Sequence, residues 1–365
     1  MREINVSTNE AGQRLDKLLR KYLKNANTSF IYKMLRKKNI VLNDKKAEGK
    51  EILNLGDSVK MYFSEDTFAT MTGRTGQNSG SAETNRAAAA NASAQTAFAG
   101  KNSAQMRRGA SSGNSSERRD QRAFDVEEFR KHIVYEDENL LVLNKPAGWL
   151  SQSDASGLPS VNERCLQYLL ATGTLTEAQL QTFKPGIANR LDRNTSGLIL
   201  FGKTLPALQA LAGLLRDRTM EKYYLAIVCG DIDHAQRIDG YLAKDERTNR
   251  VEIRPQPFQD AAEIHTAYEP LKRSADYTVL KVHLITGKTH QIRAHLRAIG
   301  HPIIGDPKYG RKDANAYYRS HGGVKSQLLH AWELHFPENL DGPLRNLAGQ
   351  VITADPPKDF RPFLK

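Results

Sequence analysis

Cysteine is nearly absent: the chain has two in 365 residues, Cys165 and Cys229. They form no close-spaced pair, which argues against a disulfide framework and against a cysteine-based zinc site. Long hydrophobic runs are also missing. No stretch approaches the ~18 apolar residues of a spanning helix, and the start, MREINVSTNE, lacks the apolar segment of a signal peptide. Acidic charge is in the minority, with 41 Asp and Glu against 53 Lys and Arg, a formal net charge of +12. The expectation is a soluble, cytoplasmic chain whose excess charge is directed at a polyanion, either nucleic acid or an acidic membrane surface.

What is present divides by composition into three parts. Residues 1–63 and 124–365 carry patterned apolar residues. Residues 64–123 are rich in Ala, Ser, Asn, Gly and Gln and poor in large apolar side chains. Such a stretch cannot bury enough surface to offset its ordering entropy, so it reads as a disordered low-complexity linker. A structureless insert of this length is improbable inside one domain, which points to two domains on either side of it.

In the first part, Leu15, Leu18, Leu19, Tyr22 and Leu23 recur at helical spacing. A second helix carries Phe30, Ile31, Met34 and Leu35, with Thr28 or Ser29 as its cap. Arg20, Lys21, Lys24, Lys33, Arg36, Lys37 and Lys38 crowd around them. Residues 14–60 hold 13 basic and 5 acidic residues. A charge run usually means a solvated helix face, but an imbalance this concentrated favours a nucleic-acid footprint. The stretch RLDKLLRKYL…SFIYKMLRKKNIVLNDKKAEGKEILNLGDSV resembles the alpha-L RNA-binding domain of a small-subunit ribosomal protein. The resemblance includes Lys33, Arg36, Asn43 and the closing Gly56-Asp57, and it implies a helix pair that docks on structured RNA.

The second part reads as strands with few helices. IVYEDENLLVLNKP gives two strands around a turn at Glu136 to Asn139, and YYLAIVCG, VEIR, AEIHTAYEPL and YTVLKVHLI are β-rich runs. One helix carries Leu208, Leu211, Ala212 and Leu215, and another follows Gly287. Because strands mostly follow strands, the expected fold is α+β, with a mixed, largely antiparallel sheet preceded by a small α/β domain.

The helix after Gly287, in GKTHQIRAHLRAIGHPIIGD, has Thr289 in the N-cap position. Ile292, Leu296 and Ile299 share one face and His290, Arg293 and Arg297 the other. A cationic face beside a helix N-terminus suits a phosphate or a carboxylate. Arginines on a merely solvated face are the bland alternative. A P-loop fails because its first glycine would fall on Val282. His283, His290, His295 and His301 do not form a zinc pattern, since there is no H-E-x-x-H and no cysteine support.

The most unusual stretch is GIANRLDRNTSGLILFGK, where Asp192 sits between Arg190 and Arg193 just before an apolar run. Asp192 could simply close a turn with Asn194, Thr195 and Ser196. Alternatively it is a working carboxylate kept ionised beside apolar residues by a bidentate arginine, Arg190 or Arg293. NRLDRNTSGLILFGK, EKYYLAIVCG, LITGKTHQIRAHLRAIGHPIIGDPKYG, LLHAWELHFP and VYEDENLLVLNKPAGWLSQ together resemble the RluA-type pseudouridine synthases, in that family's order, over about residues 130–340. Asn189 stands where many relatives have histidine.

The resemblance implies an isomerase that converts uridine in RNA to pseudouridine. It makes Asp192 the catalytic carboxylate, either nucleophile at the sugar or base at C2′. Arg293 would pair with Asp192 and orient it. Tyr224 would stack on the target base, and Arg190 would contact phosphate or structure the loop. No cofactor and no metal are implied. The implied partner is RNA, with large-subunit ribosomal RNA favoured by the two-domain arrangement and transfer RNA as the alternative. No membrane and no obligate protein partner are expected, and the chain is expected to be a monomer. A non-catalytic RNA-binding factor and an RNA glycosidase are the rival classes, and the product formed from RNA distinguishes them.

Overall fold

The computed structural model describes residues 1–73 and 124–365, apart from 246 and 249. Most of the stretch expected as linker therefore lies outside the described residues. The amino-terminal part runs β1 (Arg2–Asn5), α1 (Leu15–Tyr22), α2 (Thr28–Arg36), β2 (Ile40–Leu42), β3 (Lys45–Lys46), β4 (Ser58–Met61) and α3 (Glu65–Thr72). Its four strands pair in the order β1-β4-β2-β3. Leu15, Leu18, Leu19, Leu23, Ile31 and Leu35 from the two predicted helices are buried together over that sheet. The cap of α2 is Asn27, not Thr28 or Ser29: its side-chain oxygen accepts from the Phe30 N–H at 2.8 Å. Folded structure also passes the expected limit at 63, because α3 buries Phe68 against Phe63 and the same core.

The carboxy-terminal part runs α4 (Val126–Arg130), β5 (Ile133–Glu136), β6 (Leu140–Lys145), α5 (Val161–Ala171), β7 (Gly186–Ile187), β8 (Ser196–Gly202), α6 (Leu205–Asp217), β9 (Glu221–Cys229), β10 (Gln236–Asp245), β11 (Arg250–Arg254), β12 (Ala262–Arg273), β13 (Tyr277–Leu284), α7 (Gln291–Ala298), α8 (Lys312–Gly322), β14 (Leu329–His335), β15 (Val351–Thr353) and α9 (Arg361–Leu364). One sheet runs β11-β10-β12-β13-β9-β14-β8-β6-β5, with β15 added to β14 and β7 to β8. The fold is α+β with a mixed, largely antiparallel sheet. Its one parallel pair among the described strands joins β8 to β14, matching Ser196 to His330 and Gly197 to Ala331.

Alternation along β9 explains how one strand serves two layers. Tyr224, Ala226 and Val228 belong to the main core, whereas Leu225, Ile227 and Cys229 pack into a smaller cluster with Val279, Ile304 and Phe363. Every residue of β8 is buried, as its run Leu198-Ile199-Leu200-Phe201 requires. The candidate residues of the preceding loop thus stand at the mouth of the most apolar strand. The helix α5, unread in the sequence, starts at a capping box in which Ser160 and Glu163 satisfy each other's backbone N–H.

Candidate active site

The loop between β7 and β8 carries Asp192, and its backbone is held from several sides. Asn189 is tied to β8, donating to the Leu198 carbonyl (3.2 Å) and accepting from the Leu200 N–H (2.8 Å). The Ser151 hydroxyl brackets Leu191, accepting its N–H at 3.0 Å and donating to its carbonyl at 2.7 Å. On the far side, the Arg193 carbonyl accepts from Gly148 N–H (2.8 Å) and from Lys145 Nζ (3.0 Å). Asp192 therefore lies between two clamped neighbours, while its own side chain is 26% exposed.

Lys145 was not singled out from the sequence, although a lysine closing the apolar strand LLVLN is an available signal. It is completely buried, and its ammonium donates to the carbonyls of Pro146, Trp149 and Arg193, each at 3.0 Å. Burial pulls its pKa down to about 7, while the charge of Asp192 pulls the other way. This cation knits the 145–149 segment to the Asp192 loop.

Helix α7 supplies the partner. Its N-cap is His290, not Thr289, and it makes no side-chain cap bond. The turn is closed instead by Gln291, whose Oε1 accepts from the Lys288 N–H (3.1 Å) and the Thr286 hydroxyl (2.9 Å). Ile292 and Leu296 are buried as expected. Arg293 is buried too, at 5% exposure, so the solvated-face reading fails. Its guanidinium donates from Nη1 to Asp192 Oδ2 at 2.6 Å. The two-pronged contact goes elsewhere: Nε and Nη2 grip Asp306 at 2.7 and 2.9 Å. The expectation of a bidentate pair on Asp192 is corrected to a single strong N–H, because the inner carboxylate is fully buried and claims the fork.

Asp306 escaped the sequence reading, though it lies in the same GHPIIGDPKYG run. It also accepts the N–H groups of Lys308 and Tyr309 at 2.8 and 3.0 Å. Burial pushes its pKa up, but Arg293 and these N–H groups win and hold it below its ordinary value. For Arg293, burial works against the charge and is outweighed by the two carboxylates, so it stays protonated. One arginine thus neutralises a buried aspartate with one edge and aims at an accessible one with the other.

The remaining candidates separate. Tyr224 is buried in β9, in register with Val282 on one side and Ala331 on the other. Burial, helped by the charge of Asp192, drives its phenol well above the ordinary tyrosine range. Arg190 is exposed and makes no hydrogen bond or ion pair among the described residues, so it does not hold Asp192. Arg193 turns to the Gly148 carbonyl at 3.2 Å. The four histidines are dispersed: His290 meets Tyr309, His295 meets Thr266, His301 meets the Cys229 carbonyl and His283 stacks on Tyr223. Among the described residues no group of three or more His, Cys, Asp or Glu could hold a metal ion, and no helix is long and apolar enough to cross a membrane.

The pattern of the RNA pseudouridylate synthase family matches residues 139–298, a span that contains Asp192, Tyr224 and Arg293. The ribosomal large subunit pseudouridine synthase D of Pasteurella multocida is 33% identical over 238 residues, covering 62% of this chain and 68% of that protein. The chain belongs to the RluA family of RNA pseudouridine synthases. Similarity to this family also reaches beyond the sheet: the ribosomal large subunit pseudouridine synthase C of Vibrio cholerae is 28% identical over 334 residues, covering 91% of this chain and 88% of its own. The solved structure titled Human RNA Pseudouridylate Synthase Domain Containing 4 shares the fold, with a TM-score of 0.51 at 20% identity, covering 65% of this chain and 92% of that one. As a pseudouridine synthase the chain is an isomerase acting on uridine in RNA.

Proposed function

We propose that this pseudouridine synthase modifies uridine in large-subunit ribosomal RNA, that Asp192 is its catalytic carboxylate and that Arg293 orients it. The observation that carries the assignment is the Arg293 guanidinium, locked on Asp306 and reaching Asp192 with one N–H at 2.6 Å. A carboxylate so fixed, still partly open to a substrate, suits either attack at C1′ or removal of the C2′ proton. The C1′–N1 bond breaks, the uracil turns in place and a C1′–C5 bond forms. The proton leaving C5 is balanced by one gained at N1. Tyr224, whose phenol is held protonated by burial and by the charge of Asp192, is assigned to stack on the base and to assist the final deprotonation. A target base must leave its stack to meet these groups.

The substrate class is supported by the relatives, whose names specify the large ribosomal subunit. It is also supported by Lys33, Arg36 and Lys37, which lie exposed on or beside α2 and make no ion pair among the described residues. On this reading the amino-terminal part is an alpha-L RNA-binding domain, joined through the low-complexity stretch to the catalytic domain. Arg190 is assigned to the RNA backbone. Purified protein incubated with unmodified large-subunit RNA should yield pseudouridine at a discrete site, and that site should be unmodified in cells lacking the gene. Free uracil would identify a glycosidase, and binding without product would identify a non-catalytic factor.

A further inference from the structure

His290 is used by neither the fold nor the chemistry described so far. It holds a left-handed backbone conformation, φ 55°, at the start of α7 without capping it. Such strain in a non-glycine residue persists where the surroundings impose it. Here its side chain is fixed by Tyr309. The Tyr309 hydroxyl accepts the Val251 N–H at 3.1 Å and lies 3.0 Å from His290 Nδ1. A phenol has one proton to give. With Val251 on one lone pair, the phenol proton is free to go to Nδ1, which would leave the imidazole proton on Nε2. Edge-to-face packing of the two rings, centroids 5.5 Å apart, holds the orientation. Burial keeps the ring neutral, lowering its pKa to about 4 against the pull of Asp192.

Nε2 lies 3.9 Å from Asp192 Oδ2. That gap is too wide for a direct hydrogen bond, yet one intervening hydroxyl oxygen reaches both atoms at about 2.8 Å. If Asp192 works at C1′ or C2′ of the target sugar, the hydroxyl beside those carbons is the 2′-OH. We propose that His290 donates through Nε2 to the ribose 2′-hydroxyl of the target nucleotide, which in turn donates to Asp192, and that this pair makes the site selective for ribose over deoxyribose. The 2′-OH is both donor and acceptor and is the group by which a protein distinguishes RNA from DNA at a given site. The inference rests on the proposed action of Asp192 at that sugar.

The test compares two RNAs that differ only in carrying uridine or 2′-deoxyuridine at the target, with affinities measured in an Asp192→Asn background so that neither is consumed. One neutral hydrogen bond corresponds to about a 2–10-fold preference for the ribose form. Adding His290→Ala should remove that share of the preference, about 2–10-fold, leaving only what donation to residue 192 contributes. His290→Gln, which keeps a donor near the Nε2 position, should retain most of the preference. Tyr309→Phe, which frees Nδ1 to carry the proton, should reduce it. A purely structural role would weaken both RNAs together and leave the ratio unchanged. An unchanged ratio in both the alanine and phenylalanine variants overturns the proposal, and Tyr309→Phe alone decides it if the alanine variant does not fold. Turnover of all-ribose RNA by the wild-type chain is measured alongside. Its absence would overturn the functional reading and this inference together, whereas turnover with an unchanged ratio overturns only the role of His290.

Discussion

Arg36 and Arg293 are both arginines on short helices of one basic chain, yet their surroundings are opposite. Arg36 ends α2, exposed, with no ion pair among the described residues. Arg293 is buried between two aspartates. An exposed charge can be moved or replaced at small cost, because solvent screens it. A buried charge is stable only with its partners in place, and its loss strands them. The amino-terminal part therefore offers charge without fixed geometry, suited to affinity. The larger sheet domain adds a buried, fixed arrangement around Asp192, suited to chemistry.

The sharpest break between the two comes from Asp192→Asn. Turnover should fall below about one part in a thousand, the scale of a lost catalytic group. RNA affinity should change little, because affinity comes mainly from phosphate contacts. Single-turnover formation of pseudouridine and equilibrium binding check the two halves. Faster residual turnover would deny Asp192 an essential role.

Next in size are changes to the buried network itself. Arg293→Ala leaves Asp306 buried without its ion pair, so thermal stability should fall along with turnover, by about 3–5 kcal/mol. Arg293→Lys should recover only part of both, since one ammonium cannot grip Asp306 with two prongs and still reach Asp192. Full activity of the lysine variant would show that charge alone suffices. Gly197→Ala tests the backbone beneath the loop. Gly197 has φ 109°, and an added Cβ would lie 2.2 Å from the Ala331 carbonyl oxygen of β14. The parallel pairing of β8 with β14 should be disrupted, with a large drop in the urea midpoint and loss of activity. A stable, active variant would mean that the close approach is dispensable.

A smaller effect separates the halves by pH. His330 is fully buried in β14, its Nε2–H donating to the Ala354 carbonyl (3.0 Å) and its Nδ1 accepting from Ser196 (2.8 Å). Burial lowers its pKa to about 4 from an ordinary value of 6.5, with the Ala354 carbonyl opposing. The neutral form is the one the fold prefers. Its contribution is fully present above pH ~6.5 and is lost as pH falls toward 4, amounting to on the order of 1–3 kcal/mol. Urea midpoints measured between pH 7 and 4 should fall less steeply in His330→Asn. An equally steep fall would place the sensitivity elsewhere.

Legibility in the sequence followed the same division. Helices α1 and α2 and the strands around Glu136 to Asn139 could be read because local periodicity and turn residues set them. The encounter of Arg293 with Asp192, 101 positions apart in sequence, rested on resemblance and on a cationic helix face, and the structure brings the two together. Asp306 and Lys145 were missed for one physical reason. Each acts through a partner distant in sequence, Asp306 through Arg293 13 positions away and Lys145 through the Arg193 carbonyl 48 positions away, and nothing in spacing distinguishes a buried aspartate from one in a turn. His290 displaced Thr289 at the head of α7 because a tertiary contact, Tyr309, outweighed the local preference for a hydroxyl cap. The one parallel strand pair was equally invisible, since β8 and β14 are joined by long-range closure.

The smallest expected effect on chemistry is also the most direct test of the comparison. Deleting the amino-terminal part would uncover the surface it touches, where Thr182 donates its hydroxyl proton to Glu10 and Lys21 lies 5.8 Å from the centre of the Phe183 ring. Charge removal is therefore cleaner. Lys33, Arg36 and Lys37 are exposed and outside the core of Leu15, Ile31 and Leu35, so replacing all three by alanine should leave the fold intact. If they meet RNA phosphates, every phosphate that is no longer neutralised keeps close to one of its counterions. The slope of log affinity against log salt should become shallower by about 0.7–0.9 for each such phosphate. Affinity at low salt should fall severalfold or more, while turnover at saturating RNA stays near wild type, because Asp192, Arg293 and Tyr224 are untouched. The measurement is binding to the natural RNA at several salt concentrations, with turnover determined in parallel. An unchanged slope would mean that the exposed charges of α2 do not touch RNA. A fall in saturated turnover would mean that the amino-terminal part helps to set the geometry at Asp192, and the separation of affinity from chemistry would then fail.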